Sequence, residues 1–205
     1  MKNLIYILLI SLANNVDNIG ARIAYSIRGI HISLPINLWI SVITFIISSV
    51  AAFSGILIKD FLSHQWSSII SMVLLTGIGI WIIAEPFMKK STKVFQGSTL
   101  ERKSTIVCIL KNPEKADMDN SKHIDFKEAT VLGIALSINN IGGSLGAGMI
   151  GLNSLWVGFF SALISFLALW TGNYITSYIE QWNLGNKATI VAGICLMLIG
   201  IEQIM

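Results

Sequence analysis

The sequence predicts an all-α integral membrane protein with six transmembrane helices, built as two inverted three-helix repeats. Of the 205 residues, 54% are hydrophobic and 12% are charged, and the mean hydropathy is +0.72. A soluble domain carries about 25% charged residues. Nine of the 14 lysines and arginines lie between Lys89 and Lys127, which leaves long uncharged stretches on either side. A polar motif that occurs twice in the chain predicts the two halves.

Apolar runs of about 20 residues, the length that crosses a bilayer, define the predicted spans. These runs are 4–27, 36–58, 67–88, 129–150, 154–175 and 188–205. The first run is the weakest, because Asn14, Asn15, Asp17 and Asn18 interrupt it. Its ten-residue apolar start also fits a signal peptide. No small-residue cleavage motif follows that start, so we favour an uncleaved span.

The charge distribution predicts the domain organisation and the orientation. Residues 1–88 form the first predicted repeat, 89–127 a polar loop and 128–205 the second repeat. With six spans both termini lie on one side, and that side carries only Lys2 and Lys59, whereas the opposite side carries eleven basic residues. The positive-inside rule therefore predicts a multi-pass plasma-membrane protein with a cytoplasmic loop 89–127 and both termini external.

The repeated motif lies in the first and fourth spans. The sequence DNIGA, which begins at Asp17, aligns without gaps with NNIGG, which begins at Asn139, and a glycine follows twelve residues after each start. An odd number of spans separates the two copies, so the halves would have opposite orientations. Inverted repeats are typical of transporters whose substrate site lies near the midplane. The alternative is that two packing helices share small residues.

The polar residues of these two spans predict a binding site. Asn14, Asp17 and Asn18 share one face of an ideal helix, and Asn139 and Asn140 lie in the fourth span. A charge at the centre of a bilayer costs about 2.5–3.5 kcal/mol, so these side chains should face the bundle interior. One carboxylate among carboxamide oxygens suits a hard cation. We therefore predict a midplane metal site, with interhelical hydrogen bonding alone as the alternative.

Three further charges lie in or beside the spans. Arg22 either neutralises Asp17 in an ion-free state or extends to the cytoplasmic headgroups, and we favour the headgroups. Glu85 and Glu202 each close the third span of their half and are candidates for proton coupling. Because Glu85 precedes Pro86, a solvated helix end is an alternative for it.

Two glycines in the fourth predicted span indicate helix packing and not phosphate binding. Gly142 and Gly146, four residues apart, predict close approach of a neighbouring helix. They do not form a phosphate loop, because no strand precedes them and no Lys-Ser/Thr follows.

The sequence has no nucleophile–base pair and no HExxH motif, so we predict that the protein is not an enzyme. The predicted partners are the bilayer and a divalent cation, Mn²⁺ or Ca²⁺, with no covalent cofactor and no nucleic acid.

The polar loop ends in a segment that resembles an EF-hand. Its positions 1, 3, 5, 7, 9 and 12 would be filled by Asp117, Asp119, Ser121, the His123 carbonyl, Asp125 and Glu128. Lys122 occupies position 6, where glycine normally makes a sharp turn. Two interpretations remain open: the segment binds a divalent cation, or Asp125 and Glu128 only form a capping box for the fourth span.

Together these residues resemble a known family. The strings NNVDNIGARIAYSIRGIHIS, KADMDNSKHIDFKEATVLGIALS and INNIGGSLGAGMIGLN are similar to the MntP-type manganese efflux pumps, and more closely to the branch of YtaF-type sporulation membrane proteins. The resemblance implies a cation exporter with an acidic residue in the first span and another in the fourth. Asp17 matches the first, but Asn139 occupies the second position. This departure leaves open the transport of a different cation or a regulatory role. The second hypothesis is a non-transporting scaffold or a divalent-cation sensor with a role in sporulation.

Overall fold

All regular elements of the computed structural model are helices, within the residues that it describes: 2–27, 30–62, 64–88, 116–117 and 121–182, together with 194, 197 and 201. The helices are α1 (Lys2–Asn14), α2 (Val16–Ile27), α3 (Leu34–Phe61), α4 (His64–Met88), α5 (Phe126–Met149) and α6 (Ser154–Trp182). Three segments are long and apolar enough to cross a bilayer, namely α3, α5 and residues Ser154–Thr171 of α6. The prediction of an all-helical membrane protein is confirmed, whereas nearly all of the predicted sixth span, 188–205, lies outside the described residues.

The first predicted span is divided into two helices at Asn15. The Asn15 N–H donates to the Leu12 carbonyl at 3.2 Å, and the Asn18 N–H donates to the Asn15 carbonyl at 3.2 Å. These i→i−3 bonds tighten the chain locally relative to an α-helix. The Asn15 side chain replaces the i→i−4 hydrogen bond that its own N–H no longer makes, because Asn15 Nδ2 donates to the Ser11 carbonyl at 2.8 Å. The sequence had predicted one helix over 4–27, and asparagine's ability to bond the nearby backbone explains the interruption.

Helix α3 packs most extensively against α5 and then against α6. It begins with Pro35 in its first turn, a position where the missing N–H of proline costs nothing. A Cβ atom on Gly148 of α5 would overlap the Ala52 carbonyl oxygen, and a Cβ on Gly55 of α3 would overlap the Leu145 carbonyl oxygen. The absence of side chains at these two positions lets the α3 and α5 backbones touch.

The predicted close approach at Gly142 and Gly146 takes place against α4. A Cβ on Gly142 would lie 2.6 Å from Ile78 Cδ1, and a Cβ on Gly146 would lie 3.0 Å from Leu75 Cδ2. Leu75 is fully buried. The two glycines, one turn apart, therefore accommodate two branched side chains of α4.

Contacts between segments near the helix ends identify the two ends of the bundle. At one end the His31 N–H donates to the Lys122 carbonyl at 2.8 Å, and the Ile124 N–H donates to the His31 carbonyl at 3.2 Å. At the other end, Gly151, which follows α5, lies beside the Lys59 side chain near the end of α3. Helices α3 and α5 therefore run in the same direction, as the second and fourth spans of a multi-pass protein must.

Candidate cation site

Four buried asparagines meet at the interruption between α1 and α2. Asn14, Asn15, Asn18 and Asn140, here called the asparagine cluster, are each 3% exposed or less. Asn15 Oδ1 accepts a hydrogen bond from Asn18 Nδ2 at 3.0 Å and another from Asn140 Nδ2 at 3.3 Å. Asn14 Nδ2 lies 3.4 Å from the Asn140 carbonyl oxygen, to which it donates. The fold thus joins Asn14, Asn18 and Asn140, as the sequence predicted, and adds Asn15.

The amide nitrogens of the asparagine cluster all donate, but most of its side-chain oxygens accept nothing. The Oδ1 atoms of Asn14, Asn18 and Asn140 have no hydrogen-bond partner in the described part of the chain, and neither does Ser144 Oγ, one turn beyond Asn140. An unsatisfied buried polar atom costs about 1–3 kcal/mol. Such groups are therefore uncommon unless they serve a function. Neutral oxygens of this kind are ligands for hard cations.

Helix α6 contacts both sides of the interruption through two serines one turn apart. Ser161 Oγ donates to Ser11 Oγ of α1 at 3.3 Å. Asn18 Nδ2 of α2 donates to Ser165 Oγ at 2.9 Å. Both serines are fully buried. Neither serine was among the predicted site residues, because the sequence shows only two serines four residues apart in an otherwise apolar span.

Asp17 lies at the edge of the asparagine cluster and contacts Asn139. The Asp17 carboxylate is half-buried, and its Oδ1 accepts from the Asn18 N–H at 3.0 Å. Its Oδ2 accepts a short hydrogen bond from Asn139 Nδ2, and Asn139 itself is exposed. In this conformation Asn139 presents its amide nitrogen to Asp17, whereas the sequence analysis had assigned it as an oxygen ligand.

Arg22 does not extend to the membrane surface. Its side chain is 1% exposed, and Tyr25 in the same helix is fully buried beside it. The predicted headgroup contact is therefore wrong, because α2 turns this face toward the other helices. A guanidinium so far inside a bundle has a large desolvation cost, and its positive charge lies one turn beyond Asn18.

Asp117 is hydrogen-bonded to the backbone of the segment just before α5. Asp117 is 8% exposed, and its two carboxylate oxygens each accept a backbone N–H bond at 3.0 Å, from Ser121 and from Lys122. Lys122 has a φ of +63°, so the left-handed conformation normally given to glycine is present at position 6. Ser121 Oγ donates to the His123 carbonyl at 2.8 Å.

Asp125 and Glu128 form the capping box that the sequence offered as one interpretation. Asp125 Oδ1 accepts from the Glu128 N–H at 2.8 Å, and Glu128 Oε2 accepts from the Asp125 N–H at 3.1 Å. This exchange satisfies backbone donors that a helix start leaves without partners. The capping interpretation is confirmed, and metal binding by the loop stays a prediction.

Some predicted site residues lie beyond what the structure describes. Asp119 and Glu202 are outside the described residues, and Glu85 is described only as part of α4. Within the described ranges, no three His, Cys, Asp or Glu side chains lie close enough to hold a metal ion.

Comparisons with known proteins give a family and a full-length relative. The sequence pattern of the Mntp family, described as "Putative manganese efflux pump", matches residues 33–204. This range includes α3 to α6 but not α1 and α2. The "Probable sporulation protein YtaF" of Bacillus subtilis (strain 168) is 26% identical over 208 residues, which are 98% of this chain and 99% of the relative. No solved structure matches the chain.

Proposed function

The chain belongs to the Mntp family, and we propose that it exports a cation, with Mn²⁺ as the leading substrate, by alternating access. Family membership and the long apolar helices place it among multi-pass membrane proteins whose suggested activity is manganese efflux. The ion, the residues that bind it and the transport mechanism are the parts that we propose.

The observation that carries the proposal is the set of buried oxygens without partners around a helix interruption. Asn14, Asn18 and Asn140 each have an Oδ1 without a hydrogen-bond partner among the residues that the structure describes. Interrupted helices whose polar groups surround an ion are a recurrent feature of transporters. In the ion-bound state Asp17 would be the principal charged ligand, and the asparagine cluster would provide neutral oxygens.

Contacts between equivalent residues support the two inverted repeats. The repeat alignment pairs Asp17 with Asn139, and these two side chains are hydrogen-bonded to each other. It also pairs Asn18 with Asn140, and both donate to the same oxygen, Asn15 Oδ1. Equivalent residues meet only where a pseudo-two-fold axis passes between them. The proposed ion site would therefore lie at the axis relating the halves.

The cross-contacts of the first helix in each half follow the same scheme. Ser11 in the first span contacts Ser161 in the fifth. Ser137 in the fourth span contacts Thr44 in the second, at 3.1 Å between hydroxyl oxygens. The first span of each half is thus hydrogen-bonded to the second span of the other half. This arrangement is expected of two units that rock against each other.

The local charge favours weak binding. Two charged side chains, Asp17 and Arg22, lie in the same helix as Asn18, and their formal charges cancel. Affinity for a divalent cation falls as fewer charged ligands surround it. A site of this composition would bind Mn²⁺ loosely and release it readily, which suits export from a cell that already contains the ion.

Complementation of a manganese-sensitive, exporter-deficient strain tests the proposal. Wild type should restore growth in Mn²⁺ and lower the cellular manganese content. Asp17→Asn should lose most of that protection, whereas Asp60→Asn, which removes an exposed carboxylate near the end of α3, should retain it. A wild-type protein that is stable in the membrane yet gives no protection would overturn the export function.

A divalent-cation sensor or scaffold is the second candidate. It is favoured by the left-handed turn at Lys122 and by the ordered carboxylate of Asp117, and the sporulation name belongs to the Bacillus relative. This candidate expects Asp17→Asn to be mild and Asp117→Ala to abolish most Mn²⁺ binding. A Mn²⁺ titration of both purified variants, followed by electron paramagnetic resonance, distinguishes the two functions.

A further inference from the structure

We propose that Asn15 is the positioning residue of the cation site, because it orients the Asn18 and Asn140 carboxamides so that their oxygens are presented to the ion. This inference rests on the proposed function. Asn15 is fully buried and lies at the interruption between α1 and α2. It does not need to touch the ion, since it acts through the two amides that it contacts.

The two ends of an amide group have nearly the same shape but opposite hydrogen-bonding roles. An asparagine side chain ends in one oxygen that accepts and one nitrogen that donates. A 180° rotation exchanges the two atoms at almost no steric cost, so an unconstrained amide can turn its N–H groups toward a cation and repel it. A site made of carboxamides therefore needs a partner that keeps the nitrogens turned away.

Asn15 Oδ1 has the properties of such a partner. It accepts from Asn18 Nδ2 at 3.0 Å and from Asn140 Nδ2 at 3.3 Å. With both nitrogens engaged there, the Oδ1 atoms of Asn18 and Asn140 are the atoms that have no hydrogen-bond partner within the described ranges of the chain. One acceptor thus sets the orientation of two amides, one from each half of the chain.

The orientation of Asn15 is fixed in turn by the helix interruption. Asn15 Nδ2 donates to the Ser11 carbonyl at 2.8 Å, which the Asn15 N–H has left for the Leu12 carbonyl. A rotated Asn15 amide would lose this bond and would direct N–H groups at the nitrogens of Asn18 and Asn140. The interruption and the orientation of the site therefore depend on the same side chain.

The test compares Asn15→Leu with Asn37→Leu in the full-length protein in detergent. Asn37 is a matched control, because it is 3% exposed and donates across helices, to the Phe166 carbonyl at 3.0 Å, but it is not part of the asparagine cluster. Free Mn²⁺ is followed by electron paramagnetic resonance. Asn15→Leu should weaken Mn²⁺ binding by about tenfold or more, and Asn37→Leu should change it by less than about threefold. Equal losses in the two variants would overturn the inference.

A double-mutant cycle with Asn18→Leu separates positioning from a general loss of packing. If Asn15 acts through Asn18, the loss in the double variant will be smaller than the product of the two single losses. Losses that multiply fully would contradict the inference. Failure of wild type to bind Mn²⁺ is a different result, since it would overturn the proposed function itself.

Asn15→Asp provides a second variant that does not depend on the fold tolerating leucine. An aspartate keeps an oxygen that accepts from Asn18 and Asn140, so these two amides keep their orientation. The variant loses the bond that Asn15 Nδ2 donates to the Ser11 carbonyl, which should lower its stability, and it gains a negative charge that attracts Mn²⁺. Its Mn²⁺ affinity should equal or exceed that of wild type. A tenfold loss of affinity, in a variant that elutes as a monodisperse protein, would show that the acceptor at this position is not what matters.

Discussion

Asn14 reaches α5 only because residue 143 is a glycine. A Cβ at Gly143 would overlap Asn14 Oδ1, and Asn14 Nδ2 donates to the Asn140 carbonyl at 3.4 Å. Gly142, the preceding residue, faces the flexible end of Ile78 instead. Two adjacent glycines in one helix therefore tolerate a methyl group differently, and this difference provides a test of the site at the scale of one residue.

Gly143→Ala should displace the Asn14 amide and reduce both stability and Mn²⁺ export. Overpacking of this kind typically costs about 1–3 kcal/mol. The measurements are the apparent unfolding temperature in detergent and growth protection in Mn²⁺. Gly142→Ala serves as the control and should be near wild type in both, because Ile78 Cδ1 can rotate away. Wild-type protection by Gly143→Ala would show that the position of Asn14 is unimportant for export.

The sequence identified most residues of the site but misjudged their surroundings. On an uninterrupted helix Asn14, Asp17 and Asn18 share a face, and Asn15 lies at the side of that face next to Asn18. The interruption changes this geometry, so that Asn15 lies fully buried at the centre and Asp17 only half-buried at the edge. Arg22 was misplaced for a different reason, since its burial follows from the packing of α2 against α6 and not from its distance from the end of a span.

At the scale of helices, the starts of α3 and α5 show how local signals become structure. Asp125 and Glu128 complete a reciprocal capping box at α5. Ser33, the N-cap of α3, makes no side-chain capping bond. Asp125 and Ser33 are therefore both N-cap residues, but only Asp125 makes a capping hydrogen bond. Comparing substitutions at the two positions isolates the contribution of that bond to stability.

Asp125→Ala should destabilise the protein by about 1 kcal/mol, because the Glu128 N–H loses its acceptor. For a chain of this size that corresponds to an unfolding temperature lower by about 2–4 °C. Ser33→Ala should have little effect. Thermal unfolding in detergent, with EDTA and with Mn²⁺, measures both variants. If Asp125 also bound an ion, its loss would lower the unfolding temperature more in Mn²⁺ than in EDTA.

At the scale of the whole molecule, contacts near the helix ends show which segments lie at the same end of the bundle. Residues 30–33 and 121–125 lie at one end, and Lys59 and Gly151 lie at the other. The sequence predicts that the first of these ends is cytoplasmic, because the loop 89–127 contains most of the basic residues. An exporter must also expose its site to this side when it loads its ion.

Cysteine labelling tests this orientation. In a background with Cys108→Ser and Cys195→Ser, Asp60→Cys should react with a membrane-impermeant maleimide in intact cells. Ser121→Cys should react only after permeabilisation. Both positions are exposed, and they lie at opposite ends of the bundle. The reverse labelling pattern would show that the predicted orientation is wrong.

By itself, the sequence determined the membrane class and the positions of α3 to α6, and it offered the cap of α5 as one of two interpretations, because hydropathy and capping depend on residues that are neighbours in the chain. It also located the polar residues that a membrane protein retains only for packing or function. Only the tertiary structure decided which of them meet. Asn15 contacts Asn140, and Asn18 contacts Ser165, and these contacts join residues more than a hundred positions apart, which no local pattern specifies.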